Sequence, residues 1–270
     1  MKIFDCFPFF NELEILELRF LELYDIVDYF VIVEANRTHN GTPKEFIFEN
    51  NKDRFKKWID KVIYVKVEDM PDYDPKDVFK LEYYQRNQIW RGIKDMAKPG
   101  DKILVSDCDE IPNVDKLKEN LSSTIRMTFK VDMYYYYVNN KCLGSWCGTV
   151  IDNFENVKPR IQSMRWFSIK NRYQKWVPWV IRDGGWHYAY MTGGDVDRIR
   201  QKIALFAEKN LVEVAGSREE VEYKINNSKD LYGRDTRGRH KQKMVDITKM
   251  NTPKHLNEWL NKYPNFINFY

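Results

Sequence analysis

Short, unbroken apolar runs punctuate the first half of the chain, and that pattern restricts the fold more than any other feature. Residues 29–33 read YFVIV, 62–67 read VIYVKV and 102–106 read KILVS. Runs of this length without polar alternation suit strands covered on both faces. Residues 2–7 make a further strand. Between the strands lie segments of helical spacing. Over residues 12–25 the apolar Leu13, Leu16, Phe20 and Leu23 recur on one face, and Asn11 is placed to cap the start. Residues 77–96 read as one long helix, stopped by Lys98-Pro99-Gly100. Alternating strands and helices predict a parallel sheet with right-handed crossovers. Ligands bind such sheets at the carboxyl ends of the strands. Asn11-Glu12, residues 34–41 and residues 107–110 all fall at such ends, on one edge.

The second half is less regular. Residues 126–138 hold an aromatic strand, FKVDMYYYYV. Residues 160–166 and 176–181 read as strands of an antiparallel portion. Asp183-Gly184-Gly185-Trp186-His187 is a turn beside a strand. Residues 195–209 form a helix with Ile199, Ile203 and Phe206 on one face, and residues 255–261 form a short one. The expectation is a single α/β domain over 1–270: a Rossmann-like, mostly parallel sheet with helices on both faces and a smaller antiparallel portion.

Composition narrows the function. With 270 residues, 43% of them hydrophobic, the chain can bury a sizeable core without staples. A net charge of +4, from 44 basic and 40 acidic residues, does not point to nucleic acid as a partner. One basic run, RDTRGRHKQK at residues 234–243, reads as a solvated loop or as a loop closing over a phosphate-bearing ligand. Cys6, Cys108, Cys142 and Cys147 form no CxxC pair, so zinc is not indicated and all four read as reduced thiols. No apolar stretch approaches the ~20 residues that span a bilayer, and no signal peptide is visible. The expectation is a soluble, cytoplasmic protein with no membrane span.

The chemistry concentrates at Ser106-Asp107-Cys108-Asp109-Glu110. Asp107 and Asp109 lie two apart at a strand end, so both carboxylates can face one ligand. Such a pair suits Mn²⁺ or Mg²⁺, which leave positions open for water and phosphate oxygens. A cation there stabilises the charge that grows on a departing nucleoside diphosphate. An exposed turn of solvated acids is the plain alternative.

Three blocks carry a family resemblance: FDCFPFFNE at residues 4–12, continuing through LEILELRFLELYDIVDYFVIVEANRTHNG; SDCDEIP at 106–112; and GGWHYAY at 184–190, followed by a helix containing Lys202-Ile203. Together they cover nearly the whole chain. The sequence resembles glycosyltransferase family 17, whose members add bisecting N-acetylglucosamine to N-glycans. The resemblance implies a GT-A-like fold with residues 1–112 as the nucleotide-sugar half and 113–270 as the acceptor side. It also implies a UDP-sugar donor, UDP-N-acetylglucosamine in known members, a divalent metal and inversion at the anomeric carbon, with Asp107 and Asp109 matching the family's DxD. The acceptor is then a glycan or glycoprotein. The animal enzymes carry a membrane anchor that this chain lacks, which suggests a viral or bacterial enzyme, in the host cytoplasm if viral.

Roles follow as expectations. Asp109 is the first metal ligand, and Asp107 binds the metal through water or holds the ribose. Glu110 positions a neighbour or satisfies backbone N–H groups. His187 is a further metal or phosphate ligand, its neutral imidazole favouring Mn²⁺. Inverting transfer needs one general base. Asp195 and Asp197, near a helix start where carboxylates also favour the dipole, are candidates with Asp183 and Glu34. The nucleotide would meet Asn11, Glu12, Glu34, Asn36, Arg37 and Arg86, with Phe7 or Phe9 stacking on uracil. Trp146, Trp179 and Trp186 are sugar platforms or core. Competing readings are a GT-A transferase of another donor, a metal-free glycoside hydrolase with two flanking carboxylates, and a non-catalytic glycan-binding protein.

Overall fold

Four parallel strands open the sheet: β1 (Ile3–Phe9), β2 (Tyr29–Ala35), β3 (Val62–Val67) and β4 (Lys102–Val105), in the spatial order β3-β2-β1-β4. They are seen in a computed structural model that describes residues 1–171, 177–206, 211–234 and 238–269. β1, β2 and β4 are buried on both faces, as their unbroken apolar runs require, while β3 at the sheet edge is only half-buried. On one face α1 (Leu13–Leu23) lays Leu16, Phe20 and Leu23 against Phe7, Phe9, Phe30 and Ile32. The short α2 (Ile47–Asn50) adds Phe48 to the same cluster. On the other face α3 (Lys80–Asn87) and α4 (Ile89–Ile93) place Leu81, Ile89 and Ile93 over Phe4, Val31 and Val33. Each such side chain contributes about 1.5–3 kcal/mol on burial. The single helix expected over 77–96 is thus two pieces that break at Gln88, and Asn11 does not cap α1, whose N-cap is Glu12 without a side-chain cap bond.

Beyond β4 the sheet turns mixed and continues β4-β7-β6-β9-β5. Its strands are β5 (Glu110–Pro112), β6 (Met127–Tyr135), β7 (Asn140–Asn153), β8 (Val180–Ile181) and β9 (Gly185–Ala189). The helix α5 (Val114–Asn120) links β5 to β6 and starts on an Asn113 cap. Residues 160–166 overturn the expected strand: they enter α6 (Gln162–Asn171). Its buried face, Gln162, Met164, Arg165, Ser168 and Asn171, has helical spacing but is mostly polar, so an apolar count does not see it. Of the strand expected over 176–181, only Val180–Ile181 is a strand, and Trp176 lies outside the described residues.

The far end of the sheet is covered by α7 (Val196–Ala204), α8 (Leu211–Ala215) and α9 (Arg218–Asn226), with Ile199, Ile203 and Val221 packed near Tyr135 and Tyr190. The small strand β10 (Gln242–Met244) pairs with β7, and α10 (Leu256–Lys262) returns Trp259 to Ile15 and Leu18 of α1. Among the described residues no helix is long and apolar enough to cross a membrane.

The sheet order makes β1 a switch point: β2 lies on one side and β4 on the other. Chains leaving β1 and β4 diverge there and open a crevice, the place where open α/β sheets hold their ligands. Phe10 and Glu12 follow β1 into it, and Asp107 to Asp109 leave β4 into it.

Candidate active site

A buried arginine builds the acidic turn. Arg19 of α1 is fully buried and donates to both oxygens of Asp5 on β1, at 2.7 and 2.6 Å. Nη2 also donates to Ser106 Oγ, and Nη1 donates to the backbone carbonyls of Asp107, Cys108 and Glu110, the last at 2.8 Å. Fork-shaped guanidinium donors suit this task. The turn is therefore set by the helix beneath it, and Tyr188 N donating to Asp109 O at 2.9 Å fixes its other side.

Asp107 lies between two more arginines. Arg86 of α3 donates to Oδ1 and Arg165 of α6 to Oδ2, both at 2.7 Å. Burial opposes the Asp107 charge, but Arg165 and Arg86 outweigh it and hold the carboxyl well below the usual carboxylate range. Arg165 also donates to both oxygens of Glu110, which is buried and accepts from Trp146 Nε1 and from Asp107 N. Glu110 thus both positions its neighbours and satisfies a backbone N–H. Gly148 of β7 makes room for it: a Cβ there would lie 2.3 Å from the Glu110 carboxyl carbon.

Asp109 faces a different set. His187 Nε2 of β9 stands 3.5 Å from Oδ1 and Lys202 Nζ of α7 stands 3.6 Å from Oδ2. Lys202 also donates to Glu12 Oε1 at 2.9 Å. Burial disfavours the charge on Asp109, yet His187 and Lys202 lower its pKa; burial likewise opposes the His187 charge, and Asp109 raises it. Two carboxylates two residues apart thus sit in unlike surroundings: Asp107 is locked between guanidinium groups, while Asp109 is held by looser contacts at the cleft.

The cleft itself is about 1120 Å³ and runs from the ends of β1 and β2 across Asp109 to β6, β7 and β9. Of the residues named from the sequence, Glu12, Arg37, Arg86, Asp107, Asp109 and His187 line it. Several other expected residues lie elsewhere. Phe7 is fully buried under the Arg19 guanidinium, 4.4 Å from its ring centroid, so it cannot stack on a base; Phe9 and Phe10 line the cleft instead. Glu34 is buried and accepts from Lys44, Tyr64 and the amides of Ile47 and Phe48, which makes it an internal anchor for α2. Asn36 donates to Glu68 O, and neither it nor Asn11 lines the cleft.

Trp186 is core, its Nε1 donating to Asn251 O, and Trp179 donates to Asn171; of the three tryptophans only Trp146 reaches the cleft. The base candidates fare similarly. Asp195 caps α7 by accepting from Asp197 N and Arg198 N, Asp197 is exposed against Arg218, and Asp183 occupies a turn at φ 48. None of the three lines the cleft, whose acids are Glu12, Glu82, Asp107 and Asp109.

These donors fit a divalent cation in a limited way. Two ligands of one small cation lie about 3 Å apart, so Asp109 Oδ1 and His187 Nε2 are spaced to share one after a small adjustment. Asp107 does not fit as a direct ligand, because both its oxygens already accept from arginines. Nor does His187 Nδ1, buried without a hydrogen-bond partner, have the outer support usual for a metal-bound imidazole. Among the described residues no three acidic, His or Cys groups cluster tightly enough to hold a metal alone. A cation here would take two protein ligands and complete its shell from phosphate and water.

Arg19 and Arg165 gave no site signal in the sequence. Both lie on buried helical faces, and only the helical spacing of α6 around Arg165 could have exposed one of them.

The chain is 32% identical over 107 residues to the human β-1,4-mannosyl-glycoprotein 4-β-N-acetylglucosaminyltransferase and 31% identical over 107 to the mouse protein. Each match covers 38% of this chain and 20% of the relative, so it spans about a fifth of the relatives' length. A solved structure, the 2-C-methyl-D-erythritol 4-phosphate cytidylyltransferase of Francisella tularensis, aligns with 67% of this chain and 90% of its own, at 11% identity and a TM-score of 0.36. The family model for glycosyltransferase family 17 matches residues 1–233, a span that holds the Asp107–Glu110 turn, His187 and Lys202 alike, and the chain belongs to that family.

Proposed function

We propose that the protein transfers N-acetylglucosamine from a UDP-sugar to a hydroxyl of a glycan, with inversion, and that the departing diphosphate lies against Asp109, His187, Lys202 and Arg86. The observation that carries this reading is the position of Asp109. It lines the cleft at the switch-point crevice, between His187 and Lys202. The names of the human and mouse relatives support the sugar and the glycan acceptor.

The residues divide the work. The nucleoside lies along the ends of β1 and β2, beside Phe10, Arg37 and His39. Asp107 acts indirectly, by orienting Arg86 toward the phosphates. Lys202 and Arg86 bring positive charge to the place where negative charge develops, and they are preorganised by Glu12, Asp107 and Glu82. Asp109 and His187 are the residues that would hold a divalent cation, Mn²⁺ by its tolerance of imidazole, and it would supply further Lewis-acid charge to the leaving group.

The test is UDP release and product mass, measured with UDP-N-acetylglucosamine, Mn²⁺ and a panel of oligosaccharide acceptors. Asp109→Asn is expected to lose about 10²–10³-fold in turnover while melting as the wild type does. Wild-type turnover in that variant sinks the site. Transfer that persists in chelator removes the cation and leaves Lys202 and Arg86 to bear the charge.

A further inference from the structure

Beyond β2 the chain makes a turn, residues 38–42, that carries His39 into the cleft lining near the ends of β1 and β2. The turn is built to hold one shape. Thr38 N donates to Thr42 O at 2.9 Å and Gly41 N to Thr38 O at 3.0 Å. Asn40 Oδ1 accepts from the Thr38 and Thr42 hydroxyls at 2.6 and 2.9 Å, while its amide donates to Ala204 O of α7 at 2.7 Å. Gly41 takes φ 90, a region open to glycine, and a Cβ there would stand 2.9 Å from Tyr73 Cβ. His39 therefore reaches the cleft from a fixed backbone.

Gln85 of α3, a buried side chain, fixes the state of the His39 ring. Its amide nitrogen donates to Val33 O at 2.9 Å and to Phe9 O at 3.3 Å, near the ends of β2 and β1. Carbonyls only accept, so the nitrogen must face them and Oε1 must face His39, whose Nε2 lies 2.8 Å away. That oxygen needs a donor. Nε2 consequently carries the ring proton, and in the neutral imidazole Nδ1 is left as an acceptor. Among the described residues nothing pairs with Nδ1, and it is not sealed from solvent. Two strand-end carbonyls, acting through one amide, thus choose the tautomer of a side chain that lines the cleft.

An open acceptor on a fixed turn selects a partner that donates. Phe10, half-buried, also lines the cleft and offers a ring on which a base can stack. Arg37, two residues before His39, lines it too, and its contact with exposed Asp72 is long, 3.5 Å, which leaves guanidinium donors for a ligand's oxygens. Uracil presents an N–H between two carbonyl oxygens, the pattern that one acceptor with donors beside it recognises. Cytosine turns a lone pair to the same place. We propose that His39 selects the base of the donor: its Nδ1 accepts from the ring N–H of uracil, while Arg37 donates to a neighbouring carbonyl oxygen and Phe10 stacks on the ring. The proposal rests on the nucleotide-sugar reading above and names the atom that chooses the base.

The experiment measures calorimetric Kd values of the full chain, with Mn²⁺, for UDP, CDP, GDP and 3-methyl-UDP, whose methyl group replaces the ring N–H. It is run at about pH 8, where imidazole is ordinarily neutral. UDP is expected to bind at least about tenfold tighter than CDP or 3-methyl-UDP, which is about 1.4 kcal/mol, because a site built to pair with an N–H rejects an analogue that lacks it. His39→Leu is expected to bring the ratio between UDP and 3-methyl-UDP toward one. His39→Asn, whose side-chain oxygen falls near the place of Nδ1, is expected to keep part of that ratio. Melting checks that both variants fold. Equal binding of UDP and 3-methyl-UDP by the wild type overturns the proposal. So does a His39→Leu protein that binds every nucleotide more weakly with the ratio intact, because His39 would then only support the turn. Both outcomes leave the donor reading standing. A preference for GDP overturns the proposal together with the uridine donor, and no binding of any diphosphate overturns it together with transfer. Methyl-sensitive UDP binding with no sugar transfer under any condition supports His39 and discards transfer.

Discussion

Arg165 shows how much of this site depends on single residues that do not touch a substrate. Its guanidinium bridges Asp107 and Glu110, both drawn into the protein by the turn after β4. Removing one partner of such a buried set leaves the others charged and unpaired, which is costlier than the pairing was favourable. Arg165→Met is expected to destabilise the fold by about 3–5 kcal/mol, read as a lower denaturant midpoint, and to free Asp107 from one of its two holders. A loss under about 1 kcal/mol would show that the carboxylates find other partners. At this scale the sequence exposed Asp107 and Asp109, because a strand of unbroken apolar residues ends on them. It also exposed His187 through its glycine-rich turn. The roles of Phe7, Glu34 and Trp186 were not legible, because an aromatic or acidic side chain near a strand end reads alike whether it faces the core or the cleft. Here Arg19, α2 and Asn251 claim those three.

At the scale of elements, β7 supports the acidic turn from behind, and Gly148 is where it comes closest. A methyl group placed there meets the Glu110 carboxylate within 2.3–2.6 Å, a contact that backbone and charge both resist. Gly148→Ala is expected to push Glu110 off Arg165 and Trp146, costing about 1–3 kcal/mol and lowering turnover in the UDP-release assay. An unaltered midpoint and rate would mean that the strand yields instead. The parallel strands and α1 were legible, since their periodicities are unmixed. The helix α6 was not, because it buries Gln162, Arg165 and Ser168 toward the site and leaves Trp166 and Phe167 half-buried, so its pattern imitates a strand. β7 was missed altogether, since its first half, Asn140 to Trp146, mixes polar, small and apolar residues with no two-residue alternation.

Across the whole molecule, α1 is the hub that ties the C-terminal segment to the site. Trp259 Nε1 donates to Glu14 O, Lys262 to Glu17, and His255 N to Glu22. Burial raises the Glu22 pKa above 4.5, partly offset by the amides of His255 and Lys254. The folded state then holds this proton to higher pH than the unfolded chain does, so the stability from Glu22 is present below about 4.5 and falls as pH rises through the folded-state pKa. Glu22→Gln is expected to melt above the wild type at pH 7, with the gap closing as pH drops to 4.5; a gap constant with pH would refute the assignment. The chain's own order of apolar runs and helical faces determined the α/β class, the parallel first half of the sheet and the strand end that carries the acids, because burial in a sheet leaves a local, periodic trace, whereas the order β3-β2-β1-β4 came only with the fold. Which acids face the cleft, which are locked by arginines, and the placing of Lys130 and Arg239 around one cleft were decided only by tertiary structure. Those relations join side chains far apart along the chain, from Lys130 on β6 to Arg239 in the segment beside β7, and no local pattern encodes a contact between distant residues.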